Sequence, residues 1–416
     1  MARYETIFIQ ENVAPQGNEF IDIQDESGKS VGKIKTNIMK IPRIGDKLYS
    51  FGALSDVHVN NAAKVKKRFE NAIKYFTDEE QVAFTCIAGD LTGSGTLAHY
   101  QEYILSVIMA KKSCSRIAVV HDTTGNHDVQ QDYAPHYFFE PFLNDETIVD
   151  TTNNKTALDK FKEYAETQYG KTYEELGITE EELDIFRERP VHYSFTKGND
   201  VFIMFGMDGW PGKTYPGGYN NTLFYENSLK ELHRILDANR DKRCFVFEHC
   251  PHFTVTKTDK GDGTGTTYSK VTDGSGGTIL GWVGPTGGYL NDRKSTFMKL
   301  MQYYSNVVWF HGHTHIHFKH QADCSILNYN KKLGCHSVHI PALAGERKMT
   351  IYETAGDDGA KGFGYVVDVY NNHIVLRGRD FSDNVDKFSP IATYCVDTTF
   401  KPVESKTLDE IKAMTF

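Results

Sequence analysis

Carboxylates, imidazoles and one amide recur in five short groups along this chain. They are Asp56-Val57-His58, Gly89-Asp90, Gly125-Asn126-His127-Asp128, Glu248-His249-Cys250-Pro251 and Gly312-His313-Thr314-His315. Nitrogen and oxygen donors of this kind suit divalent first-row metals. The chemistry they would serve is the hydrolysis of a phosphoester, which resists attack because its oxygens are negative and water is a poor nucleophile. Two cations about 3.5–4 Å apart neutralise those oxygens and lower the pKa of a bridging water until hydroxide exists near neutral pH. Such a pair needs a bridging carboxylate, roughly three further ligands per metal and open positions for the phosphate.

Each residue can be placed in that inventory. Asp56 and His58 lie two apart after an apolar run and can reach one metal from a short extended turn. Asp90 is the natural bridge, because a carboxylate has two oxygens. Asn126 offers an amide oxygen that adds coordination without charge. His249 and His313 would complete the second metal, and His315, on the same side as His313 in an extended turn, would return to the first. His127 is not needed as a ligand. It can donate a proton to the leaving group or stabilise charge developing on the phosphate. Asp128 can orient that imidazole or cap the loop. Trp210 and His252 stand near enough to the motifs to touch substrate. His311 and His317 flank the last motif at a spacing of two and read as supports of the ligands or as solvent-facing, while His121 and His192 carry no signal of their own. Taken singly, an Asp after a strand is a turn or helix-cap residue. Independent turn residues would not assemble this ordered set.

The elements that must position these groups are legible in the apolar pattern. Strands are predicted at 49–54, 82–88, 117–120, 201–207, 244–247 and 307–310, each running into or towards a motif or the Asp208-Gly209-Trp210 turn. Amphipathic helices are predicted at 62–76, 97–110, 157–169, 180–187, 223–238 and 294–304. This rhythm predicts an α/β protein with ligands at the carboxyl ends of its strands, where open α/β sheets place their sites. Residues 364–370 and 373–379 alternate around Asn371-Asn372 and predict a hairpin, read as closing a second sheet.

Three regions follow. Residues 1–47 form a small β-rich appendage without visible chemistry, 48–380 the catalytic domain, and 381–416 a short tail with one more strand and a helix. Within the domain, 131–190 reads as an insertion, either a cap over the site or a surface embellishment. Residues 255–290 are a long Gly-rich loop containing Trp282 and Tyr289, of a length that is functional or disordered.

The bulk properties narrow the function. The chain has 416 residues, 39% hydrophobic and 24% charged, an ordinary globular composition. A net charge of −9 gives no overall basic field, so nucleic acid is not an expected partner. No stretch approaches the roughly 20 apolar residues of a membrane span. Met1-Ala2-Arg3-Tyr4-Glu5 lacks the apolar core of a signal peptide, which makes the cytoplasm the expected location. Seven cysteines form no Cys-x-x-Cys pair, and Cys86 and Cys244, inside apolar runs, read as buried free thiols.

Asp-x-His, Gly-Asp, Gly-Asn-His-Asp, a lone His and Gly-His-x-His, in this order over about residues 48–380, resemble the calcineurin-like metallophosphoesterases. The Gly-Asn-His-Asp ending is most similar to class III cyclic-nucleotide phosphodiesterases and their bacterial relatives. The resemblance implies a four-layer α/β/β/α sandwich of two mixed sheets with a dinuclear metal site at its crest. It implies that Asp56, His58, Asp90 and His315 hold one metal and that Asp90, Asn126, His249 and His313 hold the other. It further implies that His127 is catalytic and that the ions are Mn, Fe or Zn. One departure is Cys250, where relatives often carry a second His. The expected activity is that of a phosphodiesterase on a small soluble ester. The alternatives are a phosphomonoesterase, a nuclease, or a component of a larger surface or viral assembly that keeps the fold.

Overall fold

The computed structural model describes residues 20–24, 30–35, 46–60, 63–129, 139–146, 148–209, 224–250, 292–313, 315, 334–345, 362–381 and 390–415. Near the N-terminus β1 (Phe20–Gln24) and β2 (Ser30–Lys35) form a separate antiparallel pair. The β-α-β-α-β run consists of β3 (Tyr49–Leu54), α1 (Ala63–Lys74), β4 (Thr85–Ala88), α2 (Leu97–Ser113) and β5 (Val120–Thr123). The next segment holds α3 (Glu140–Leu143), β6 (Ile148–Asp150), β7 (Lys155–Thr156), α4 (Ala157–Tyr169), α5 (Tyr173–Leu176) and α6 (Glu180–Arg187). Then come β8 (His192–Lys197), β9 (Asp200–Phe205), α7 (Glu226–Ala238), β10 (Cys244–Phe247), α8 (Asp292–Tyr303), β11 (Val307–His311) and β12 (His336–His339). The chain ends with β13 (Phe363–Val369), β14 (His373–Asp380), β15 (Pro390–Asp397) and α9 (Leu408–Ala413).

Two sheets carry the architecture. One has the order β15-β14-β13-β3-β4-β5, with β3, β4 and β5 parallel and β13 antiparallel to β3. The other has the order β12-β11-β10-β9-β8, parallel except for β8. Their facing sides share an aromatic core of Phe51, Phe84, Phe202, Phe245, Phe247, Phe310 and Tyr365. The Phe51 ring lies 5.3 Å from Phe202, 5.5 Å from Phe245 and 5.9 Å from Phe310, all edge-on, the arrangement that aromatic quadrupoles favour. Outside, α1 and α2 cover the first sheet and α7, α8 and α9 the second. Helix α1 does so with Val65, Phe69, Ala72 and Ile73, spaced at one helical face. The result is the expected four-layer α/β/β/α sandwich, and strands buried on both faces read as continuous apolar runs for that reason.

Several expectations need correction. The third strand is Val120–Thr123, not 117–120, and Ile117 is 93% exposed. Polar residues conceal it: Asp122 is buried because Tyr103 donates to it at 2.8 Å and Arg189 pairs with it at 2.6 Å. The hairpin of β13 and β14 joins the first sheet beside β3, rather than closing the second. Alternation reports a hairpin but not its neighbour. Residues 131–190, read as a cap or a surface embellishment, are described from 139 onward except for 147. Residues 139–190 pack into the outer helical layer, with Phe142, Phe161 and Leu183 in the same cluster as α1 and α2, and Tyr169 and Gln168 hydrogen bond to Glu70 and Lys66 of α1. Thr156, Thr172 and Thr179 open α4, α5 and α6 with capping boxes. In the C-terminal stretch β15 is an edge strand of the first sheet and α9 packs against α8. Cys86 and Cys244 are buried free thiols, as expected. Among the described residues no helix is long and apolar enough to cross a membrane.

Candidate metal centre

The candidate ligands sit where the parallel strands end. Asp56 and His58 follow β3, Asp90 follows β4, Asn126 follows β5, His249 follows β10, and His313 and His315 follow β11. The two sheets therefore each contribute to one cluster. Five of the seven, Asp56, His58, Asp90, His313 and His315, have positive φ, between 48° and 72°. Such a conformation costs a non-glycine residue about 1–3 kcal/mol. It persists here because the loops continue the ladder of the strands: Asp56 N donates to Gly89 O at 3.1 Å, His58 N to Asp90 O at 2.9 Å and Val59 N to Leu91 O at 3.0 Å. Gly312 and Gly125 allow close approach: a Cβ on Gly312 would overlap Ser55 and Asp56. A Cβ on Gly125 would overlap Asp90 and stand 2.8 Å from His249 Cδ2.

Each buried carboxylate is held by one oxygen and presents the other. Asp56 Oδ2 accepts from Ser55 Oγ at 2.8 Å and His313 N at 2.9 Å. Its Oδ1 lies 3.0 Å from His315 Nε2, 3.7 Å from His58 Nε2 and 3.8 Å from His249 Nε2. Asp90 Oδ1 accepts from His127 N at 2.9 Å, and Oδ2 lies 3.1 Å from His249 Nε2 and 3.6 Å from His58 Nε2. His58 Nε2 and His315 Nε2 are 3.1 Å apart, and His313 Nδ1 is 2.8 Å from Asn126 Oδ1. Two ligands each about 2.1 Å from one ion stand about 3.0–3.4 Å apart, so much of this cluster already has the spacing of a coordination sphere. The tautomers agree. Nδ1 of His249 faces Ala88 O at 2.7 Å and Nδ1 of His315 faces Gly345 O at 3.0 Å. A carbonyl only accepts, so Nδ1 carries a proton and Nε2 is the nitrogen turned to the carboxylates, the one a metal would take.

The electrostatics test the fit of a cation. Burial works against the charge of Asp56, but His315 and His249 hold it well below the usual carboxylate range. Asp90 is likewise depressed against burial, by His249 and His127. Burial alone would push His249 down, yet Asp90 and Asp56 push it up to about 10. Two buried carboxylates thus demand positive charge at this spot. His313 is pushed down to about 3, by burial and then by His249, and is a neutral imidazole. A buried centre with carboxylates that demand a cation and neutral imidazoles that can bind one fits a metal. Ligand atoms of Asp56, His58 and His315, and of Asp56, Asp90 and His249, lie within 4.8 Å of one another.

A model of the calcineurin-like phosphoesterases matches residues 49–317. The chain belongs to that family. Membership implies metal-dependent hydrolysis of phosphoesters at a dinuclear centre. No curated protein matches the chain. Among solved structures it is similar to GAP50, the anchor in the inner membrane complex of Plasmodium, at 12% identity and a TM-score of 0.41, covering 86% of this chain and 90% of that one. It is also similar to a predicted phosphoesterase of Streptococcus pneumoniae, at 7% identity and a TM-score of 0.29, over 84% of this chain and 97% of that one. A third is Vacuolar Protein Sorting 29 of Cryptosporidium parvum, at 11% identity and a TM-score of 0.30, over 85% and 100%.

In this phosphoesterase His127 borders the cluster, its ring 4.7 Å from that of His58 and edge-on to it. Its Nδ1 faces Gly93 O at 2.8 Å, so a backbone carbonyl orients it. Asp128 takes the other role considered for it and caps the loop. It accepts from Gly125 N at 2.8 Å, Leu91 N at 3.0 Å, Thr92 N at 2.9 Å and Thr92 Oγ1 at 2.9 Å. Burial, with Asp90 nearby, pushes its pKa up to about 7. His311 is buried and bonds Ser337 Oγ at 2.9 Å, so it faces the interior. Trp210, His252 and His317 lie outside the described residues. Sequence reasoning missed three backbone carbonyls, of Ala88, Gly93 and Gly345, which set the imidazoles. It also missed that Cys250 brings its sulfur within 4.8 Å of ligand nitrogens of His249 and His313. The motif containing Cys250 was visible, whereas carbonyl acceptors carry no signal in residue type.

Proposed function

We propose that this phosphoesterase hydrolyses phosphodiesters of small soluble molecules, using two Mn, Fe or Zn ions. Asp56, His58, Asp90 and His315 would hold one ion, and Asp90, Asn126, His249 and His313 the other. When bound, the ions supply charge neutralisation for the phosphate and a hydroxide nucleophile near neutral pH. The observation that carries the reading is the position of Asp90 Oδ2, 3.1 Å from His249 Nε2 and 3.6 Å from His58 Nε2, between the two sets of donors.

This chain's own residues then have distinct tasks. Asp90 joins the two sets through one oxygen and fixes the His127 backbone through the other. The Gly93 carbonyl keeps a proton on His127 Nδ1 and leaves Nε2 for proton traffic with the leaving group. The preference for a diester rests on charge. The groups that most depress Asp56 and Asp90 are imidazoles, and the chain carries a net −9. A singly charged diester suits such a site better than a doubly charged monoester or a polyanion.

The test is hydrolysis of bis-p-nitrophenyl phosphate against p-nitrophenyl phosphate by protein loaded in turn with Mn, Fe and Zn, with Asp90→Ala as control. The diester is expected to be the better substrate and Asp90→Ala inert. A monoester preference with every metal would overturn the diesterase reading.

A further inference from the structure

Arg68 lies on the buried stripe of α1, between Val65, Phe69 and Ala72, where an apolar side chain is the ordinary occupant. It is 2% exposed. A guanidinium taken out of water is costly unless it meets a well-placed acceptor. From Nη1 it donates to Ala344 O at 2.9 Å. Ala344 belongs to the segment that leaves β12, and this segment is laced to the metal-site loops. Leu343 N donates to Ser55 O at 3.1 Å, Ala344 N to Asp56 O at 3.0 Å, and Phe363 N to Ala342 O at 3.0 Å. Next comes Gly345, at φ 139°, which side chains of L residues rarely adopt. Its carbonyl accepts from His315 Nδ1 at 3.0 Å. That bond directs His315 Nε2 to within 3.0 Å of Asp56 Oδ1 and 3.1 Å of His58 Nε2.

We propose that Arg68 is a positioning residue for the metal site. By holding Ala344 O it fixes residues 342–345, and through Gly345 O it sets the tautomer and direction of His315. The inference rests on the dinuclear reading above. Outer partners of liganding histidines are typically worth ten- to a hundredfold in metal affinity. Removing Arg68 therefore weakens the ion on the Asp56, His58 and His315 side and spares the ion on the Asn126, His249 and His313 side.

The experiment titrates metal-free wild type, Arg68→Met and Arg68→Lys with Mn(II). Bound ions are counted by elemental analysis, and pairing is read from the spin coupling of two Mn(II) ions. Wild type is expected to take two ions and show coupling. Arg68→Met should keep one at wild-type affinity, lose about ten- to a hundredfold at the other, and show an uncoupled signal until excess metal restores the pair. Arg68→Lys, with one ammonium that reaches less far, should fall between. Two ions bound as in wild type, or equal weakening of both, overturns the proposal; equal weakening is the mark of a merely structural role. Should Arg68→Met not fold, Arg68→Lys carries the test alone, and an unchanged ratio of the two affinities overturns it. Wild type that binds no pair refutes the dinuclear reading instead.

Discussion

His127 is the residue whose proposed task differs most from those of its neighbours. It borders the cluster, its backbone is fixed by Asp90, and its Nδ1 proton is committed to Gly93 O. General acid catalysis by a positioned side chain contributes about 10²–10⁴-fold. His127→Ala should therefore lower kcat by about 10²–10³-fold while metal content and KM stay near wild type. Steady-state kinetics with metal analysis checks this, and loss of metal in step with activity would reassign His127 to the ligands. The candidate ligand types were legible because carboxylate, imidazole and amide are side chains, and five ordered motifs leave little room for coincidence. The left-handed backbone at Asp56, His58 and Asp90 was not legible. Asp tolerates that conformation through local hydrogen bonding, but only the ladder to the neighbouring loop imposes it.

At the scale of elements, charged networks fasten helices and strands whose apolar faces do not specify partners. Glu80, which closes the π-helical turn Tyr75–Glu79 that continues α1, accepts from Arg377 at 2.9 and 2.7 Å, from Arg379 at 2.9 Å and from Tyr75 Oη at 2.6 Å. It thereby joins the α1 layer to β14. Burial works against its charge, but Arg377, Tyr75 and Arg379 pull its pKa down to about 2. The folded value lies below the unfolded one, near 4.3. The stabilisation is therefore complete above that value and is lost as pH falls from there towards about 2. Glu80→Gln should cost about 2 kcal/mol near neutral pH, by removing the charge shared by Arg379 and the partly exposed Arg377, which keeps Asp368 at 2.7 Å. The gap between wild type and variant should close in thermal melts taken from pH 5 down to 2. A gap independent of pH would contradict this account. Strand order was the less legible part at this scale. Apolar runs marked β3, β9, β10 and β11, while β5 was hidden by His121-Asp122-Thr123, whose burial depends on Arg189 and Tyr103 far along the chain.

Across the whole molecule, closing the sandwich is what assembles the site. Asp56, His58, Asp90 and Asn126 arrive on the first sheet, and His249, His313 and His315 on the second. The aromatic core between the sheets, centred on Phe51, sets their approach. The family and the four layers were readable from motif order, whereas the docking of residues 139–190 on α2 needed the packing of Phe142 and Phe161. The measurement that bears most directly on the central claim is a metal titration of the metal-free protein, followed by diester turnover at each point. Activity is predicted to remain low through the first equivalent and to reach its plateau as the second ion binds. Full turnover with one ion per chain, or no turnover at two, would contradict a dinuclear centre built on Asp90.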